Sequence, residues 1–82
     1  MPNPIHQSNY ALFREMLTNI RLEKGLLQSE VAERLGKPQS FISKYERGER
    51  RLDFAEFVEI AKALDIDAAA FVAQYQARLG KS

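Results

Sequence analysis

The residue pattern predicts an all-α chain, a compact five-helix domain, and three observations carry that expectation. Apolar side chains recur at three- and four-residue spacing, as one face of a helix requires. The segments so marked are separated by Gly25, Gly36, Gly48 and Asp65, residues that enter left-handed backbone conformations at low cost. Nowhere do polar and apolar residues alternate as in a half-buried strand, and no internal repeat recurs.

Met1 to Gln7 holds two prolines and no periodicity, so residues 1–8 are expected to form a flexible arm ahead of a single domain spanning residues 9–80. Minor-groove arms ordinarily carry Arg or Lys, and this one has neither. Ser8 or Asn9 can cap the first helix. Its apolar face is Tyr10, Phe13, Leu17 and Ile20, Gly25 ends it, and Leu26 points back inward. The second helix covers about residues 28–35, with Val31, Ala32 and Leu35 inward. Small Ala32 lets another backbone come close, and Gly36 supplies the turn. Pro38 suits the first position of a third helix over about residues 38–47, because its missing N–H is no loss there. That helix has Ile42 and Tyr45 on its inner side with Phe41 beside them, while Gln39, Ser40, Ser43 and Lys44 face out. Phe41 is expected in the core or at its rim, with contact to a thymine methyl left open. Gly48 stops the helix and a basic loop follows. Asp53 and Glu56 make a capping box for the fourth helix, whose apolar face is Phe54, Phe57, Ile60, Ala61 and Leu64. Asp65 takes the left-handed exit, Ile66 plugs the core, and Asp67 caps a fifth helix running to about Leu79. There Phe71 and Val72 are expected to close the core.

The 82 residues are enough for one core without staples. With no cysteine and one histidine, His6, neither a disulfide framework nor the usual zinc clusters can form, and no metal or other cofactor is expected. No run approaches the roughly 18 apolar residues of a membrane span, and no signal-like stretch opens the chain, so a soluble cytoplasmic protein is expected. The net charge of +1 is unevenly spread. Residues 1–36 balance, residues 52–82 are net −2, and residues 37–51 are net +3 through Lys37, Lys44, Arg47, Arg50 and Arg51 against Glu46 and Glu49. Positive charge therefore gathers on the third helix and the loop after it, where a polyanion would be met. A solvated basic loop accounts for the charge alone equally well. Catalysis is not expected, since no nucleophile–base set or phosphate-cradling glycine loop is present.

A helix, a glycine turn and a second helix with few apolar positions form a helix-turn-helix pattern. Ile42 and Tyr45 pin the second helix of that unit by one edge, leaving the opposite face free to enter a groove about 12 Å wide. The stretch IRLEKGLLQSEVAERLGKPQSFISKYERGERRLDFAEFVEIAKALDID resembles the phage-repressor and Cro-like (XRE-type) helix-turn-helix family, over roughly residues 14–72. Gln28, Ala32, Gly36, Ile42, Glu46, Gly48 and the IAKAL run carry the likeness. It implies a lambda-repressor-like DNA-binding fold that works as a homodimer on double-stranded DNA with a two-fold operator. By the same resemblance, Gln39, Ser40, Ser43 and Lys44 fall at base-reading positions. Gln28, Ser29, Lys37, Arg47, Arg50 and Arg51 fall where contacts to the phosphate backbone are expected, and Gln28 can also hydrogen-bond Gln39. Arg21 and Glu46 match a pair that ties the first helix to the end of the third. Leu27 departs from the family's usual Ser or Thr cap.

Tyr75 and Leu79 lie farther along the fifth helix than a core of this size needs, which makes them candidates for a two-fold dimer interface. The expected function is a sequence-specific transcriptional regulator, most simply a repressor. A restriction–modification controller, an autoregulating antitoxin and a protein-interaction module without DNA binding share the pattern. No domain for a small-molecule effector is expected, so control would come through concentration, proteolysis or a protein partner.

Overall fold

The computed structural model describes residues 4–80, with side chains from Asn9 onward. The described chain runs α1 Pro4–Glu23, α2 Gln28–Leu35, α3 Gln39–Glu46, α4 Phe54–Ala63 and α5 Ala68–Leu79, with no strand among the described residues. Its extents are 36 × 28 × 23 Å.

Helix α1 starts at Pro4, four residues ahead of the Ser8 cap. Proline is tolerated in a first helical turn because its missing N–H would have no partner there anyway. Residues 4–8, expected in the arm, therefore continue the helix. Met1–Asn3 and the side chain of His6 lie outside the described residues. At α3 the shift is the reverse. Pro38 is the extended cap residue (φ −70°, ψ 154°) and Gln39 the first helical one.

Each break has its chemistry. Gly36 turns at φ 69°, and two bonds close the end of α2: its N–H donates to the Glu33 carbonyl at 3.1 Å and that of Lys37 to Ala32 at 3.0 Å. Asp65, the one non-glycine at positive φ (59°) among the described residues, makes the exit from α4. The Asp53 carboxylate accepts from the Glu56 N–H at 2.7 Å, and Glu56 accepts from the Asp53 N–H at 3.0 Å, completing the reciprocal cap of α4. Asp67 caps α5 through the Ala69 N–H at 2.9 Å. Arg34 reaches from α2 to the C-terminal end of α4 and donates to the Ala63 carbonyl at 2.7 Å.

Leu17, Val31, Ile42, Tyr45, Ile60 and Leu64 form the deepest layer of the core, and Ala32 is the small residue where α2 meets α3. An aromatic group joins α1, α4 and α5. Phe13 stands edge-on to Phe57 and Phe71 at 5.5 and 5.9 Å, and those two lie 5.1 Å apart. Two members of the expected core lie outside it. Phe54 is 77 % exposed, because helical side chains lean toward the N-terminus and one in the first turn leans past the edge of the core. Val72 is 40 % exposed. The apolar stripe of α5 is buried along its Phe71 edge and open along the Val72 edge.

Helix α2 lacks a side-chain cap, as Leu27 implies. The position has cap geometry (φ −79°, ψ 155°) and the leucine is 64 % exposed. Half of a capping box is nevertheless in place, since the Leu27 N–H donates to Glu30 Oε1 at 2.7 Å. A hydroxyl at residue 27 would accept from the Glu30 N–H and complete it. Leu27→Ser is expected to stabilise the fold by about 1 kcal/mol, raising Tm by roughly 4–8 °C. Thermal unfolding checks this, and an unchanged or lowered Tm would contradict it.

Candidate nucleic-acid interface

Helix α3 is two turns long and amphipathic in a lopsided way. Phe41, Ile42 and Tyr45 are buried, whereas Gln39, Ser40 and Lys44 are exposed on the other side. Ser43 is half-buried, and its hydroxyl turns back to donate to the Ser40 carbonyl at 3.3 Å. Of the four expected base readers, Ser40 and Lys44 project outward, Ser43 also serves its own helix, and Gln39 also bonds to α2. Ser29, Lys37 and Gln39 line one shallow groove between the start of α2 and the turn.

The end of α3 is fastened to α1. Arg21 Nε donates to Glu46 Oε2 at 2.7 Å and Nη2 to Oε1 at 3.0 Å, a fork in which both side chains are nearly buried, 11 % and 7 % exposed. Arg21 Nη1 also donates to the Leu26 carbonyl at 2.7 Å, so the guanidinium braces the loop before α2. Hydrogen bonding to Glu46 raises the Arg21 pKa above its ordinary value against the opposing effect of burial. Burial, aided by the Glu46 charge, pushes the neighbouring Tyr45 phenol well up, so it stays neutral.

Arg14, which sequence reasoning treated only as a charge, holds the same residue from the other side. Its Nη1 donates to the Glu46 main-chain carbonyl at 2.9 Å. Arg14 and Arg21 stand seven residues apart, two turns on one face of α1, and that spacing was the available signal. Gly48 (φ 80°) makes room for the arrangement, because a Cβ there would lie 3.1 Å from Arg14 Nε and Cζ.

Gln28, expected to meet a phosphate and to reach Gln39, makes the second of these contacts and adds one to Glu46. Its Nε2 donates to Glu46 Oε1 at 2.9 Å, and its Oε1 accepts from Gln39 Nε2 at 3.3 Å. A polar chain therefore runs Arg21, Glu46, Gln28, Gln39, from the core to the exposed start of α3.

The basic rim is built on two aromatic rings. Phe41 is buried at its base, and its ring carries Lys37 Nζ at 5.2 Å and the Arg50 guanidinium at 4.7 Å from the centroid. Arg51 stacks on Tyr10 at 4.6 Å, and the Tyr10 hydroxyl accepts from the Leu52 N–H at 3.0 Å, anchoring the loop to α1. Two of the cations have acidic partners that charge counting did not reveal. Arg50 forks onto Glu56 at 2.8 and 3.0 Å. Those bonds, with the Asp53 N–H, hold the Glu56 carboxyl down at about 2. Arg47 forks onto Glu49 at 2.9 and 3.0 Å, with both side chains in solvent.

Of the two residues expected at a dimer interface, Tyr75 is half-buried and engaged within the protomer. Its hydroxyl donates to the Asn9 carbonyl at 2.8 Å, and its ring meets Phe13 edge-on at 6.2 Å. Leu79 is half-buried near the end of α5. Among the described residues no cluster of candidate metal ligands occurs, and no helix is long and apolar enough to cross a membrane.

The fork on Glu46 yields a stability test. Arg21→Ala and Glu46→Ala are each expected to cost roughly 3–5 kcal/mol, because each strands a desolvated charge. The double substitution should cost little more than either single one. Urea unfolding of all four proteins checks this, and additive losses would show that the two residues are not coupled.

A helix-turn-helix family model matches residues 17–71. Among solved structures, an XRE-family like protein from Pseudomonas syringae pv. tomato str. DC3000 superimposes with a TM-score of 0.87 at 39 % identity, over 92 % of each chain. The wild-type restriction–modification controller protein C.Esp1396I superimposes with a TM-score of 0.81 at 26 % identity, over 90 % of this chain and 96 % of that one. The tetramer of that controller in complex with its natural 35 base-pair operator gives a TM-score of 0.79 at 25 % identity, over 87 % and 93 %. No match was found among proteins of curated function. The two-turn α3 braced by α1, the Gly36 turn and the match over residues 17–71 agree, and the chain belongs to the XRE-type helix-turn-helix family.

Proposed function

We propose that this protein is a sequence-specific, double-stranded DNA-binding transcriptional regulator. It acts as a homodimer on a two-fold operator, most simply as a repressor, with α3 in the major groove. The observation that carries the reading is the construction of α3: a helix anchored by one edge and one end, with a polar outer face flanked by aromatic-supported cations. A helix kept only for protein contacts has no need of Lys37, Arg50 and Arg51 poised around that face. The restriction–modification controller solved on its operator, 25 % identical over 93 % of its chain, adds support and favours a controller that acts on its own operon as the second reading.

In this reading Gln39, Ser40, Ser43 and Lys44 address base edges. Gln suits adenine, Lys suits guanine, and Ser is permissive. Ser29, Lys37, Arg47, Arg50 and Arg51 meet phosphates and set register without reading sequence. The partners of Arg47 and Arg50 do not bar this. The Arg47–Glu49 pair is exposed and weak, so a phosphate can displace its carboxylate, and Arg50, itself exposed, can meet a phosphate beside Glu56. Since Tyr75 is engaged inside the protomer, the dimer contact is assigned to the open edge of α5 at Val72 together with Leu79.

Selection of bound fragments from a random DNA pool tests the whole reading. A two-fold consensus is expected, and failure to enrich any sequence would favour a protein-interaction module instead. Two substitutions then separate the contacts. Arg51→Ala should weaken binding on all sequences alike and reduce the salt slope by about 0.9, and an unchanged slope in a salt titration would remove the phosphate contact. Gln39→Ala should cost about 1–3 kcal/mol on the consensus and relax one base position per half-site. Equal losses on random DNA would mean that Gln39 is not a reader.

A further inference from the structure

Tyr10 stands on α1, outside the helix-turn-helix unit, yet its hydroxyl and its ring both engage the basic loop. The hydroxyl accepts from the Leu52 N–H at 3.0 Å. A phenol hydroxyl can accept and donate at once, and no acceptor for its proton occurs among the described residues. The ring carries the Arg51 guanidinium at 4.6 Å from its centroid. Arg47 forks onto Glu49 and Arg50 onto Glu56, whereas the Arg51 side chain has no carboxylate partner among the described residues. An unspent O–H and an unneutralised cation thus share one ring. Their place is fixed from two sides. Arg50 Nη1 donates to the Arg51 main-chain carbonyl at 3.1 Å, setting the peptide from which Arg51 projects. On α1, Tyr10, Arg14 and Arg21 are spaced by four and seven residues and so lie on one face. They meet the segment from Glu46 to Leu52 in reverse order, Arg21 and Arg14 at Glu46 and Tyr10 at Leu52. The face of α1 that holds the end of α3 therefore also sets where the loop lies.

We infer that Tyr10 and Arg51 form one site for a phosphate of the DNA backbone. The Tyr10 hydroxyl donates to one phosphate oxygen, and the guanidinium stacked on its ring supplies the charge. This rests on the reading in which α3 and the basic loop meet DNA. A backbone phosphate suits the pair because its oxygens accept from a neutral hydroxyl and from a guanidinium alike. Tyr10 adds a donor without adding charge, which makes its contact separable from those of the arginines around it. Counterions are released when cations neutralise phosphates, so the salt dependence of binding counts Arg51 and passes over the hydroxyl.

Tyr10→Phe removes the hydroxyl and keeps the ring beneath Arg51. The full chain and this variant are titrated against salt on a duplex enriched from the random pool and on a duplex of random sequence, with thermal unfolding to confirm the variant's fold. Affinity is expected to fall about tenfold, the scale of a hydrogen bond to a charged group. The loss should be alike on both duplexes, since a phosphate contact carries no sequence, and the salt slope should keep its wild-type value. A slope reduced by about 0.9 would mean that the hydroxyl only holds Arg51 in place through Leu52, and an unchanged affinity would mean that it contributes nothing to binding. Either result overturns the site while recognition by α3 stands. A second measurement locates the contact. Single methylphosphonate linkages, placed in turn along the enriched duplex, each remove one phosphate charge and one oxygen. At one linkage per half-site the replacement should weaken the wild-type protein more than it weakens Tyr10→Phe. Losses that combine independently at every linkage would overturn the site whatever the salt slope. Should the wild-type protein bind neither duplex, the DNA reading itself fails and the site fails with it.

Discussion

Glu46, the last residue of α3, has both of its polar groups taken up by one face of α1. Arg21 grips the carboxylate and Arg14 the main-chain carbonyl. The arrangement matters because α3 has so little else to hold it. Two turns of helix with apolar anchors along one edge can roll about their own axis, since dispersion contacts resist separation far more than they resist rotation. Two hydrogen-bonded fixings on different groups of the terminal residue remove that freedom. Taking two charges out of water costs several kcal/mol per ion, so the fork is not an economical way to stabilise a small domain. Its value is orientational, and the polar surface of α3 inherits its aim from it.

The rim around α3 shows a different solution. Lys37, Arg50 and Arg51 lean on the rings of Phe41 and Tyr10, which restricts flexible side chains without neutralising them. Arg50 is further steadied by Glu56, which also caps α4, so this loop is tied to the start of the next helix. The cations are thus partly organised before any partner arrives, which lowers the ordering cost of association.

Elements governed by local chemistry were readable from the sequence. The Asp53–Glu56 cap, the Asp67 cap, the Gly36 turn and the Asp65 exit each follow from residues within a few positions of one another, and the inner residues of α2 and α3 follow from periodicity. What escaped depends on distant parts of the chain. The hydroxyl of Tyr75 finds the Asn9 carbonyl 66 residues away, a contact that no window on α5 can show. Phe54 and Val72 have the spacing of core residues but sit where the neighbouring elements stop. Pro4 looks like a helix breaker and is permissive only because it stands in a first turn. At the interface, the charge count located the basic segment but not the carboxylates paired within and beside it. Arg14 passed unnoticed because its partner is a main-chain carbonyl, which leaves no mark on residue identity.

Gly36 and Gly48 share nearly the same backbone conformation, yet the protein constrains them differently. Nothing lies within 4 Å of a Cβ built on Gly36, so its requirement is conformational only, and asparagine can meet much of it. At Gly48 a Cβ would also lie 3.1 Å from the Arg14 guanidinium, so asparagine would satisfy the dihedral angle and still require the arginine to shift by a few tenths of an ångström. A side chain at the first turn thus meets only a dihedral constraint, whereas one at the second also presses on the arginine that holds the end of α3.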